Sequence, residues 1–102
     1  MSKPLEQLFH EEMLSLYQLA AREIGYWANR FLQKTRRAGG YRAAKEWLRP
    51  TRGLSPGLER LAKAKRLDLS MEALVLRPPY RELFTAEELQ TAQDRLSEAA
   101  RT

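Results

Sequence analysis

From Leu5 to Leu32 the apolar residues return at steps of three and four: Leu5, Leu8, Phe9, Met13, Leu16, Tyr17, Ala20, Ile24, Trp27, Ala28, Phe31 and Leu32. A helix of about 3.6 residues per turn gathers positions so spaced onto one face. No stretch of the chain alternates for long enough to make a strand. Ser2 can cap this helix and Pro4 suits its first turn. Gly39-Gly40 stops it just after Arg36 and Arg37, whose cations meet the negative end of the helix dipole. An unbroken rod of that length would measure roughly 50 Å, whereas a compact chain of this size has a radius of gyration of about 13 Å. Either the helix breaks or kinks near Gly25, or it projects and pairs with a partner.

The remaining elements are marked by their punctuation. A second helix is predicted over about Tyr41 to Leu48, with Tyr41, Ala44, Trp47 and Leu48 inward and Arg42, Lys45 and Arg49 outward. Pro50 ends it, and residues 49–54 form a turn-rich connector. Ser55-Pro56 restarts the chain as cap and first helical residue, with Leu58, Leu61 and Ala62 inward up to about Arg66. Ser70 can cap a short helix from Met71 to Leu76, which Pro78-Pro79 forbids from continuing. The last helix has the clearest start: Thr85-Ala-Glu-Glu88 is a capping box, and Phe84 with Leu89 is its hydrophobic staple. It runs to about Ala100 with Leu89, Ala92, Gln93 and Leu96 inward. The fold expected is all-α, a compact bundle of four to six helices with a long N-terminal helix, over residues 1–102 as a single domain.

Charge is distributed in blocks. Residues 30–66 hold twelve Lys and Arg against Glu46 and Glu59, a net of +10, while residues 1–29 carry −2 and residues 67–102 carry −3. Such a block attracts polyanions or acidic protein surfaces. The candidate nucleic-acid contacts are Lys34, Arg36, Arg37, Arg42, Lys45, Arg49, Arg52, Arg60 and Lys63, which form a patch if the three helices pack side by side. Part of the block can instead be a solvated face with local pairs, Glu59 with Lys63 and Glu46 with Arg49. A helix–turn–helix fits poorly, because its connector is usually three or four residues.

Little in the sequence suits catalysis. There is no cysteine and one histidine, so disulfides, thiolate sites and a histidine metal cage are excluded. His10 lies beside Phe9 and one turn from Met13, as a structural histidine would. Glu11-Glu12 and Glu87-Glu88 point about 100° apart on a helix, which does not make a proton-sharing dyad. Gly39-Gly40 lacks the spacing of a phosphate-cradling loop. No enzymatic activity, cofactor or metal is expected. The start, Met1-Ser2-Lys3-Pro4, lacks the apolar core of a signal peptide, and apolar runs such as Ala73-Leu74-Val75-Leu76 fall far below a membrane span. A cytoplasmic protein without membrane contact is expected.

Two stretches carry a resemblance. Glu23-Ile-Gly-Tyr-Trp-Ala-Asn-Arg-Phe-Leu32 with Gly39-Gly-Tyr-Arg-Ala-Ala44 is the first. Arg66-Leu-Asp-Leu-Ser-Met-Glu-Ala-Leu-Val-Leu76 with Leu83-Phe-Thr-Ala-Glu-Glu88 is the second. Together they resemble a small, uncharacterised bacterial family of all-helical proteins, found alone and beside restriction- or mobile-element-type genes. The resemblance covers nearly the whole chain and implies one intact domain. It brings no activity and no catalytic residues. The residues themselves suggest a brace: Glu23, Trp27 and Arg30 would share a helix face, and Arg30 could reach Asp68 or Glu72. The reading that follows is a non-catalytic accessory module binding nucleic acid, DNA or RNA, or a nucleoprotein assembly through residues 30–66. Its alternative is a protein–protein adaptor or homo-oligomer using the N-terminal amphipathic helix. A leftover apolar stripe on that helix would favour the adaptor.

Overall fold

The apolar periodicity that opens at Leu5 ends at a glycine. In the computed structural model, which describes residues 3–49 and 55–101, helix α1 spans Leu5–Ile24. Gly25 follows with a φ of 68°, in the left-handed region that side chains disfavour. The N–H groups of Gly25 and Tyr26 turn back to the carbonyls of Ala21 and Ala20, each at 3.1 Å. The chain crosses over residues 25–28 and re-enters helix as α2, Asn29–Ala38. Of the two geometries open to the long periodicity, the break is the one adopted. The radius of gyration is 12.8 Å and the longest extent 42 Å. The expected Ser2 cap lies outside the described residues; the carbonyl of Pro4 accepts from the N–H groups of Gln7 and Leu8.

The break lets α1 act as a spine. Its buried residues are Phe9, Met13, Leu16, Ala20 and Ala21, and α2, α3 (Gly40–Trp47) and α5 (Met71–Val75) pack against it. Helix α3 approaches so closely that a Cβ on Gly40 would stand 2.8 Å from the His10 Cα. The Gly40 N–H donates to His10 Nδ1 at 2.9 Å. The lone histidine is a structural group that caps α3 from across the helix pair. Helix α4, Pro56–Lys63, begins where Ser55 Oγ accepts from the Leu58 N–H at 3.1 Å. It stops three residues before the expected Arg66, because Lys65 turns to a φ of 59°. Pro50 and most of the connector before α4 lie outside the described residues.

A 3-10 turn at Leu67–Leu69 leads to α5, Met71–Val75, whose first turn is capped by Ser70 accepting from the Ala73 N–H at 3.0 Å. A second 3-10 turn at Tyr80–Leu83 precedes α6, Ala86–Ala100. The capping box is present: Thr85 Oγ1 accepts from the Glu88 N–H at 3.1 Å, and Glu88 Oε1 from the Thr85 N–H at 2.8 Å. The described residues hold six α-helices and no strand, an all-α bundle. None of these helices is long and apolar enough to cross a membrane.

Two apolar clusters fill the interior, one around Phe9, Leu48, Leu74 and Phe84 and a smaller one at Ala20, Leu61 and Leu69. On α6 the inward face differs from expectation. Gln93 is exposed, and Arg95 is buried between Ala92 and Ala99. The reason is what Arg95 reaches: its guanidinium donates to the carbonyls of Trp47 and Arg49 at the end of α3. Carbonyls at a helix end left without donors would be costly, and this cation supplies the donors.

Candidate functional site

The basic segment divides into cations with partners and cations without. Lys34 pairs with Glu46 at 3.1 Å, and its Nζ lies 5.9 Å from the centre of the Trp47 ring. Lys45 crosses to α6, where Glu88 Oε1 receives it at 2.7 Å, and it lies over Tyr41 and Phe84 at 5.4 and 5.7 Å. Burial opposes ionisation at both ends of this pair. The hydrogen bond and mutual charge outweigh it, holding Lys45 above and Glu88 below their ordinary ranges. These two lysines are engaged inside the fold.

Arg36 and Arg37 at the end of α2, Arg42 on α3, Arg49 beyond it, and Arg60 and Lys63 on α4 are all exposed. None of the six makes an ion pair among the described residues. The expected local pairs do not form: Glu46 is taken by Lys34 rather than Arg49, and Glu59 is not within ion-pair range of Lys63. Arg52 lies outside the described residues. Helices α2 and α3 pack on each other, but α4 packs on α6 and the Leu67–Leu69 turn. The structure therefore brings Arg36, Arg37 and Arg42 together on one helix pair and carries Arg60 and Lys63 on another part of the bundle.

The brace expected from Arg30 is made by other arginines. The break at Gly25 removes Glu23 and Arg30 from a common helix, and Arg30 is exposed. Arg66 joins α1 to the Leu67–Leu69 turn instead, donating to Glu23 Oε1 at 2.6 Å and to both Asp68 oxygens at 3.1 and 3.2 Å. Its guanidinium holds the Asp68 carboxyl below the usual range. Glu72 belongs to Arg95, whose Nη1 stands 3.9 Å from Glu72 Oε2. Both side chains are buried.

This pair lies in a cleft of about 870 Å³. Leu16, Ala20, Leu58 and Leu61 supply apolar wall, Tyr17, Tyr26, Phe31 and Trp47 supply rings, Trp27 comes from the break between α1 and α2, and Asn29 and Arg30 from the first turn of α2. Phe31 and Trp47 stack at 5.4 Å and 7°. Arg60 lies over the Tyr26 ring at 5.3 Å. Burial pushes the Glu72 carboxyl above its ordinary range, while its own backbone N–H and the Arg95 charge pull the other way without reversing it. Glu72 has no other hydrogen-bond donor among the described residues. Sequence reasoning missed Arg95, although its position three after Ala92 and four before Ala99 places it on the inward face. Among the described residues no group of three or more Asp, Glu or His could hold a metal ion. No family model, curated protein or solved structure matches the chain.

Proposed function

We propose that the chain is a non-catalytic module that binds nucleic acid, alone or within a nucleoprotein assembly, through the exposed cations of residues 30–66. The observation that supports this is the absence of carboxylate partners for Arg36, Arg37, Arg42, Arg49, Arg60 and Lys63 among the described residues. Unneutralised cations on ordered helices displace the counterions that surround a phosphate backbone, and that release drives association. Lys34 and Lys45 leave the contact set, since each already holds a carboxylate. Less supports the adaptor reading: on α1, Leu8, at 37% exposure, is the one exposed large apolar side chain among the described residues.

The test is a binding titration against DNA and RNA over several salt concentrations. Contacts with four to six phosphates should give a slope of log affinity on log salt of roughly −4 to −5 on duplex DNA. A slope near zero, or no binding at low salt, would sink the proposal.

A further inference from the structure

Trp27 is the most exposed large apolar side chain among the described residues, with 64% of its surface open. It is held in place all the same. Its ring meets Tyr17 at 6.1 Å and 66°, and the Tyr17 hydroxyl donates to Asn29 Oδ1 at 3.0 Å. In the same cleft lies Glu72, only 7% exposed. A lone exposed indole is ordinary, and so is a buried acid with its hydrogen bonds made. A fixed, open indole sharing one cleft with a buried carboxylate whose ion-pair partner stands at 3.9 Å, beyond hydrogen-bond distance, is neither.

We infer that this cleft receives one unpaired nucleobase of a single-stranded nucleic acid, stacked on Trp27 with its N–H edge donating to the Glu72 carboxylate. The inference rests on the nucleic-acid reading above and narrows it to single strands. Bases within a duplex have their faces stacked and their edges paired, so neither group could engage one. The volume falls within the roughly 300–1,000 Å³ typical of small-ligand pockets. Base-on-aromatic stacking with cations along the backbone is how single strands are commonly held. Here Arg30 lines the cleft and Arg60 lies over Tyr26, one of its walls. Those same cations disfavour a Lys or Arg side chain from a protein partner, the other donor that would suit Glu72.

The edge chemistry selects a base. Guanine presents two adjacent N–H donors, N1–H and N2–H, to the two oxygens of a carboxylate. Thymine and uracil present one N–H flanked by carbonyls, which a carboxylate repels. The Arg95 guanidinium 3.9 Å away favours the ionised acceptor, and two donors from the base would favour it further against the effect of burial.

The experiment is fluorescence anisotropy at low salt with labelled oligonucleotides: an all-thymine strand, the same strand with one central guanine, and its duplex. The guanine strand should bind at least tenfold more tightly than the all-thymine strand and the duplex. Glu72→Gln should erase the guanine preference while leaving weak, salt-dependent binding to both strands. Trp27→Ala, at an exposed position, should weaken both single strands with the thermal melt unchanged. Equal affinity for both single strands with the salt dependence intact overturns the base site and leaves the nucleic-acid reading standing. No binding to any strand at low salt removes that reading and this inference together. A guanine preference that survives Glu72→Gln, or an arginine-containing peptide that binds in the cleft where oligonucleotides do not, also overturns it.

Discussion

Arg95→Ala is the substitution that asks most of this fold. The guanidinium is buried, donates to two carbonyls at the end of α3 and stands 3.9 Å from Glu72. Removing one member of a buried ion pair costs about 3–5 kcal/mol, because the other charge stays behind uncompensated. Water entering through the cleft softens this, so about 3 kcal/mol is expected. For a domain of this size each kcal/mol moves the melting temperature by about 4–8 °C, which gives a fall of ~12–24 °C. Burial already raises Glu72 above its ordinary 4.5, so between that value and the folded one the folded chain binds the extra proton. Stability from this group is complete below the unfolded value and is lost as pH rises through the folded value. Without Arg95 the folded value climbs further and the window widens. The deficit of Arg95→Ala should therefore be larger at about pH 7.5 than at about pH 5, on top of a pH-independent part from the two carbonyls that lose their donor. Urea unfolding of wild type and variant at both pH values measures this directly. A deficit under about 1 kcal/mol would show that Arg95 does not hold α6 to the end of α3, and one that ignores pH would show that its pairing with Glu72 adds nothing.

Arg36→Ala with Arg37→Ala should weaken polyanion binding across all sequences while stability shifts by less than about 0.5 kcal/mol, as read by titration and thermal melt on one preparation. Gly40→Ala forces a Cβ to within 2.8 Å of the His10 backbone and should cost about 1–3 kcal/mol in urea unfolding. Arg66→Ala should lower the melting temperature at neutral pH. The loss should fade as pH falls through the depressed range of Asp68, where the protonated acid no longer rewards the guanidinium.

Helix boundaries were legible wherever a local chemical signal existed. The capping box at Thr85 and the Ser55-Pro56 and Ser70 caps begin helices where their side chains accept backbone N–H groups. The end of α4 was not, because Lys63-Ala-Lys65 carries no apolar period to mark a stop. Charge pairing was the least legible feature. Lys45 with Glu88 and Arg66 with Glu23 each join residues 43 apart in sequence, and no local spacing encodes such a contact. The same holds for Arg95, because an inward-facing cation makes sense only once the carbonyls it serves are in view.

The contact between His10 and Gly40 changes what α3 is as a unit. At eight residues the helix is too short to persist alone in water, and no side chain of its own segment caps it. Its first amide is satisfied only while α1 lies alongside, so α3 has no independent opening that spares α1. Amide exchange should report the two helices as one cooperative block, with Gly40 and the N-terminal turns of α3 exchanging at the rate set by undocking of the spine.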